Sequence, residues 1–220
     1  MRIKICGVTR AADVELAARF GADLIGLNFY PPSPRALDAD RARQVRSALP
    51  PAVEPVGVFV HPPAEQLYAY CAALDLPTVQ LHAADPATLA DTLRRTGCRV
   101  MLAFGVKEGD SLDELRGMLA AWRNVGVEPA AVLADARVEG LYGGTRRTAP
   151  WALLAGFDPG VPLFLAGGLT PDNVAEAIRI VRPAGVDVAS GVERAPGVKD
   201  AELLRRFIEQ AREAAARHAL

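Results

Sequence analysis

Cys6 and Asp135 lie far apart in the sequence, yet each ends a short apolar run, and each side chain can move a proton. Cys6 follows Arg2-Ile3-Lys4-Ile5 and precedes Gly7; as a thiolate, from a thiol with ordinary pKa ~8.5, it can serve as a base. Asp135 follows Ala130-Ala131-Val132-Leu133-Ala134, and a carboxylate so placed must be paired, hydrogen-bonded or used. Both have plainer readings: a free cysteine is more often a small buried hydrophobe, and the aspartate could cap the next loop. Two glycine turns add a third chemistry. Gly167-Gly168, inside Leu165-Ala166-Gly167-Gly168-Leu169, and Ser190-Gly191 would expose backbone N–H groups suited to a phosphate, or be ordinary tight turns. Arg35, Gln80, His82 and Asp187 are the remaining polar candidates, the middle two ending an apolar run at Val79-Gln80-Leu81-His82.

Residues so far apart need a scaffold of parallel strands to bring them together. Short β-rich runs near 2–6, 23–29, 55–60, 78–82, 99–104, 130–135, 162–166 and 186–189 alternate with segments whose apolar residues recur at three and four positions. That alternation predicts an α/β fold, a single (β/α)8 TIM barrel over residues 1–220, in preference to an open doubly wound sheet. In such a barrel, chemistry collects at the carboxyl ends of the strands, where nine of the ten candidates fall, Asp187 lying within the last strand. Ser111 to Glu114 reads as a capping box, and Thr170 before Pro171 as a cap followed by proline at the first helical position. A last amphipathic helix is expected at about 200–217. With roughly 27 residues per repeat unit, long lids are not expected, and the longest loops, 30–37 and 136–149, must carry much of the site.

Composition narrows the partners. The 25 basic and 26 acidic residues are interspersed and the formal net charge is -1, so no broad field attracts nucleic acid or anionic lipid. No stretch reaches the ~18 apolar residues of a membrane span, and the start reads as a strand, not a signal peptide, so a cytoplasmic location is expected. Cys6, Cys71 and Cys98 have neither disulfide-framework nor zinc-like spacing and are expected as free thiols, with no metal site. A small molecule is the expected partner.

Strand alternation makes one sharper prediction. Ile3 and Ile5 should face the helices, which turns Lys4 into the barrel, where an unpaired ammonium would be costly. The last strand closes beside the first and offers Asp187 between outward Val186 and Val188. A Lys4–Asp187 ion pair is therefore expected, with its positive charge favouring the Cys6 thiolate.

Across most of its length the sequence resembles the phosphoribosylanthranilate isomerase family. The resemblance rests on ordered segments: Lys4-Ile5-Cys6-Gly7-Val8-Thr9, Gly21-Ala22-Asp23, Ser33-Pro34-Arg35, Gly57-Val58-Phe59-Val60, Val79-Gln80-Leu81-His82 and Tyr142-Gly143-Gly144-Thr145. It continues through Leu165-Ala166-Gly167-Gly168-Leu169, Asn173-Val174, Gly185 to Glu193, Pro196-Gly197 and Lys199-Asp200. It implies a cofactor-free Amadori rearrangement of a phosphorylated aminosugar, with Cys6 as general base and Asp135 as general acid. Arg35 would pair with the anthranilate carboxylate, Asp187 would orient the amino-sugar end, and Gln80 and His82 would contact substrate. Gly167, Gly168, Ser190 and Gly191 would hold phosphate in a monomer or homodimer. Two departures are Arg146-Arg147 after Gly143-Gly144-Thr145, where the family has a further glycine, and Ala83 in place of glycine after His82. The related histidine-pathway isomerase, whose first strand resembles an Asp-based one, and a non-catalytic barrel that binds a phosphorylated ligand are the alternatives.

Overall fold

Each apolar run of this chain is too short to bury itself, and the way its residues alternate dictates two cores rather than one. A computed structural model describes residues 1–136 and 150–218. Strands β1 (Arg2–Cys6), β2 (Leu24–Asn28), β3 (Glu54–Val60), β4 (Thr78–His82), β5 (Arg99–Val106), β6 (Ala131–Ala136), β7 (Leu163–Leu165) and β8 (Gly185–Val188) pair in parallel and in order. β8 returns to β1 with Lys4 opposite Asp187, closing the barrel. The connecting helices are α1 (Ala11–Phe20), α2 (Ala39–Ser47), α3 (Ala64–Leu74), α4 (Pro86–Thr96), α5 (Asp113–Asn124), α6 (Trp151–Leu154), α7 (Val174–Val181) and α8 (Ala201–His218).

Outward residues such as Ile3, Ile5, Val186 and Val188 join Trp122 and Phe207 in the layer between barrel and helices. Inward residues Leu24, Val56, Met101, Leu133 and Phe164 fill the barrel itself, as expected of a packed interior. Gly185 is required by this filling, because a Cβ there would run into the Phe164 ring. Helix ends follow local chemistry. Asp85 caps α4 by accepting from the N–H groups of Ala87 (3.3 Å) and Thr88 (3.2 Å), and left-handed Gly97 ends that helix.

Two expected helix starts are displaced. Ser111 Oγ accepts from the N–H of Asp113 at 3.1 Å and α5 starts at Asp113, so the hydroxyl serves a residue nearer than the expected partner, Glu114. α7 starts at Val174, not after Thr170, because the Asn173 side chain organises the turn: its Oδ1 accepts from Thr170 N at 2.8 Å and its Nδ2 donates to Gly168 O at 3.0 Å. Between β8 and α8 the chain also forms an unexpected antiparallel hairpin of β9 (Glu193–Ala195) and β10 (Val198–Lys199). The expected 136–149 loop, with Tyr142 to Thr145 and Arg146-Arg147, lies outside the described residues beyond Ala136.

Candidate active site

Parallel pairing aligns the carboxyl ends of β1 to β8, and the side chains that end them meet in a single cleft. All ten residues singled out from the sequence line it: Cys6, Arg35, Gln80, His82, Asp135, Gly167, Gly168, Asp187, Ser190 and Gly191. The space it encloses, counted out to open solvent, is about 630 Å³. Among the described residues, no group of three or more His, Cys, Asp or Glu is placed to hold a metal ion.

Cys6 ends β1 and is buried. Burial pushes its thiol above the usual range, and Lys4, acting the other way, does not offset this. The expected ion pair is present: Lys4 Nζ donates to Asp187 Oδ1 at 2.8 Å, with the lysine fully buried. Burial alone would lower the lysine's pKa, but Asp187 and the neighbouring thiolate outweigh it and hold the ammonium above its ordinary value. Lys4 thus acts on Cys6 in the expected direction, while desolvation sets the net result. Gly26 on β2 makes room for the pair, since a Cβ there would lie 2.8 Å from Cys6 Sγ and 3.2 Å from Lys4 Nζ.

Asp135 enters the same cleft from β6, and its pKa is raised to about 7, first by burial and then by the negative charge of Asp187. Left-handed Gly167 fits closely against it, because a Cβ at that position would come 2.9 Å from Asp135 Oδ1. Gln80 and His82 face one another on β4, Gln80 Nε2 lying 2.8 Å from His82 Nε2. Burial, then Lys4, lowers the His82 pKa to about 4, so the ring is neutral at pH 7. With the Gln80 amide nitrogen donating, the ring proton sits on Nδ1. Gln80 Oε1 is then a buried acceptor with no hydrogen-bond partner among the described residues.

The glycine turns after β7 and β8 are neighbours. A Cβ on Gly191 would collide with the Leu169 carbonyl oxygen, so only glycine allows this approach. Ser190 opens a short 3₁₀ turn, Ser190–Val192, beside left-handed Gly167 and Gly168. Arg35 crosses from the loop after β2, which is ordered by Ser33 Oγ accepting from Arg35 N at 3.2 Å and from Asn28 Nδ2 at 3.3 Å. Its guanidinium already grips a protein carboxylate: Nε and Nη2 donate to the two oxygens of Glu193 at 2.9 and 2.7 Å. Glu193, Asn28 and Lys199 received no role from the sequence. The one available signal for Glu193 was electrostatic, since an arginine in an apolar loop needs a counter-ion.

The profile of the N-(5'phosphoribosyl)anthranilate (PRA) isomerase family matches residues 3–210. An N-(5'-phosphoribosyl)anthranilate isomerase of Pseudomonas aeruginosa is 44% identical over 212 residues, covering 96% of this chain and 95% of that protein. One from Geobacter sulfurreducens is 41% identical, covering 96% and 98%. The crystal structure of phosphoribosyl anthranilate isomerase from Thermotoga maritima superposes with a TM-score of 0.82 at 33% identity, covering 97% of this chain and 99% of that one. Motif order, barrel, cleft and these full-length similarities agree, and the chain belongs to the N-(5'-phosphoribosyl)anthranilate isomerase family.

Proposed function

We propose that Cys6 is the general base and Asp135 the general acid with which this isomerase converts N-(5'-phosphoribosyl)anthranilate to 1-(2-carboxyphenylamino)-1-deoxyribulose 5-phosphate in tryptophan biosynthesis. One observation carries the assignment: the two groups enter one cleft from β1 and β6, and among the described carboxyl groups Asp135 alone has its pKa lifted to about 7. A carboxyl that keeps a proton near neutrality can protonate the furanose oxygen, which an ordinary aspartic acid with pKa ~3.9 would not. Ring opening leaves a Schiff base that acidifies C2–H. The Cys6 thiolate removes that proton, and the enolamine ketonises to product.

The other cleft residues bind and orient. Arg35 pairs with the anthranilate carboxylate through N–H groups not taken by Glu193. Gln80 Oε1, a buried acceptor beside the cleft, receives a substrate N–H or O–H, and neutral His82 fixes the amide's orientation. Asp187, held by Lys4, orients the amino-sugar end. Backbone N–H groups of Gly167, Gly168, Ser190 and Gly191 hold the phosphate, consistent with the closeness of the two turns. A solved family structure in complex with reduced 1-(o-carboxyphenylamino)-1-deoxyribulose 5-phosphate, 32% identical with a TM-score of 0.79, supports a phosphorylated ligand of this size.

The enzyme works as one (β/α)8 domain over residues 1–220, in the cytoplasm, as a monomer or homodimer; a relative from Thermotoga maritima is dimeric. No described helix is long and apolar enough to cross a membrane. The test is direct. Cys6→Ser and Asp135→Asn should each remove nearly all turnover, followed as loss of phosphoribosylanthranilate fluorescence, while product affinity stays within about tenfold. Near-wild-type kcat in either variant would remove that residue's role.

A further inference from the structure

The hairpin of β9 and β10 takes no part in the proton transfers, yet it is tied to three edges of the cleft. Lys199, almost fully buried, donates from Nζ to the Cys6 carbonyl at 2.6 Å, the Ala189 carbonyl at 3.1 Å and Glu193 Oε1 at 2.9 Å. Its own N–H donates to buried Asp13 at 3.1 Å, and at the hairpin tip Thr9 Oγ1 donates to Gly197 O at 2.6 Å. The hairpin is thus fastened to the ends of β1 and β8 and to α1. Within the hairpin, Glu193 holds Nε and Nη2 of Arg35 with its two oxygens.

That fork decides what Arg35 can still do. A guanidinium has five N–H groups in one plane. Glu193 uses one on Nε and one on Nη2, leaving the two on Nη1 and the second on Nη2 without a partner among the described residues. The free N–H of Nη2 and one of those on Nη1 lie on the adjacent edge of the same plane, the edge that fits a second carboxylate in a fork. The stem of Arg35 lies against Gly7, where a Cβ would strike Arg35 Cδ; this places the stem and leaves the plane of the guanidinium to the fork. Glu193 remains an anion here: burial opposes its charge, but Arg35 and Lys199 outweigh that and keep its carboxyl below the usual range.

We propose that Glu193, anchored by Lys199, is a positioning residue that holds Arg35 with its free edge toward the substrate carboxylate and so sets specificity for an anthranilate over a plain aniline ring. The proposal rests on the reading of Arg35 as the carboxylate partner. Without Glu193 the long side chain would have to be immobilised at each binding event, and part of the carboxylate's contribution would be lost.

The experiment compares two inhibitors, reduced 1-(o-carboxyphenylamino)-1-deoxyribulose 5-phosphate and the same compound without its carboxyl group. The ratio of their inhibition constants measures what the carboxylate contributes. In the wild type the ratio should be large, and Arg35→Ala should collapse it. Glu193→Gln should cut it about tenfold, a typical share of a charge-assisted fork, while moving the carboxyl-free compound less than threefold. A ratio near one in the wild type would remove the carboxylate reading itself. A large wild-type ratio that survives in Glu193→Gln would overturn only the positioning role. Equal weakening of both compounds would also overturn it, leaving a general structural part. If Glu193→Gln gives no folded protein, Glu193→Asp, which keeps the charge with a shorter reach, takes its place with the same expected fall; failure of both to fold would assign the hairpin to stability and end the proposal.

Discussion

Near pH 8 the proposed acid and base rest in their unproductive forms, because the Asp135 pKa is about 7 and burial pushes the Cys6 thiol above the ordinary range. The thiolate and carboxylic acid pair is therefore a minor form of the free enzyme. A bell-shaped pH dependence of kcat/KM follows, with an acidic limb near 7 and a basic limb above the ordinary thiol range. The ¹³C shift of the Asp135 carboxyl should titrate near 7; a midpoint near 4 would refute the assignment. Stability carries the same signature. A carboxyl whose folded pKa lies above its unfolded value binds more protons in the native state between about 4 and 7, so stability falls as pH rises through that window. Asp135→Asn should abolish that fall and raise the unfolding midpoint at pH 8 by roughly ten degrees, the effect of the ~4 kcal/mol carried by a carboxyl lifted from ~3.9 to about 7, with little change at pH 4. Both residues could be found in the sequence because each ends an apolar strand. Glu193 and Lys199 could not be assigned, since hairpin residues carry no periodicity and Glu193 meets Arg35 across 158 positions.

Among the elements, the turns after β7 and β8 are the most tightly constrained, for Gly191 leaves no space between its own backbone and the Leu169 carbonyl. Gly191→Ala must push the two turns apart. If they share a phosphate, competitive inhibition by inorganic phosphate should weaken by at least about tenfold, the cost of misplacing one or two charge-assisted bonds. Melting should change far less than the affinity. An unchanged inhibition constant would place the phosphate elsewhere. The strands were legible to within one or two residues because inward and outward positions alternate, as Ile3, Lys4 and Ile5 do on β1. Helix starts were less legible. The reach of Asn173 back to Thr170 and Gly168 depends on how the chain folds around it, and Thr170 with Pro171 looks like a helix start without that knowledge. The β9–β10 hairpin, with strands of three and two residues, is too short to give a period at all.

At the scale of the whole molecule, the barrel closes where β1 meets β8, and the side chains that meet there are Lys4 and Asp187, 183 positions apart. Every other neighbouring pair of barrel strands is joined by a local βα connection, so this seam alone joins the two ends of the chain. A buried pair is a weak source of net stability, since desolvation of both ions offsets their attraction, but losing one partner strands the other. Lys4→Met should therefore cost about 3–5 kcal/mol in urea unfolding, because it leaves the Asp187 carboxylate buried beside Cys6 without its ammonium. The Lys4→Met, Asp187→Leu double variant should regain most of that loss, since both charges are gone and the inward face becomes apolar. Activity should not return with it, because Asp187 lines the cleft and Lys4 is the cation nearest the Cys6 thiol in sequence and on the same strand face. Recovery of stability without recovery of turnover separates closing the barrel from serving the site. A loss under about 1 kcal/mol in the single variant, the size of a surface bridge, would mean that the seam is held by its backbone ladder and outward aliphatic side chains instead.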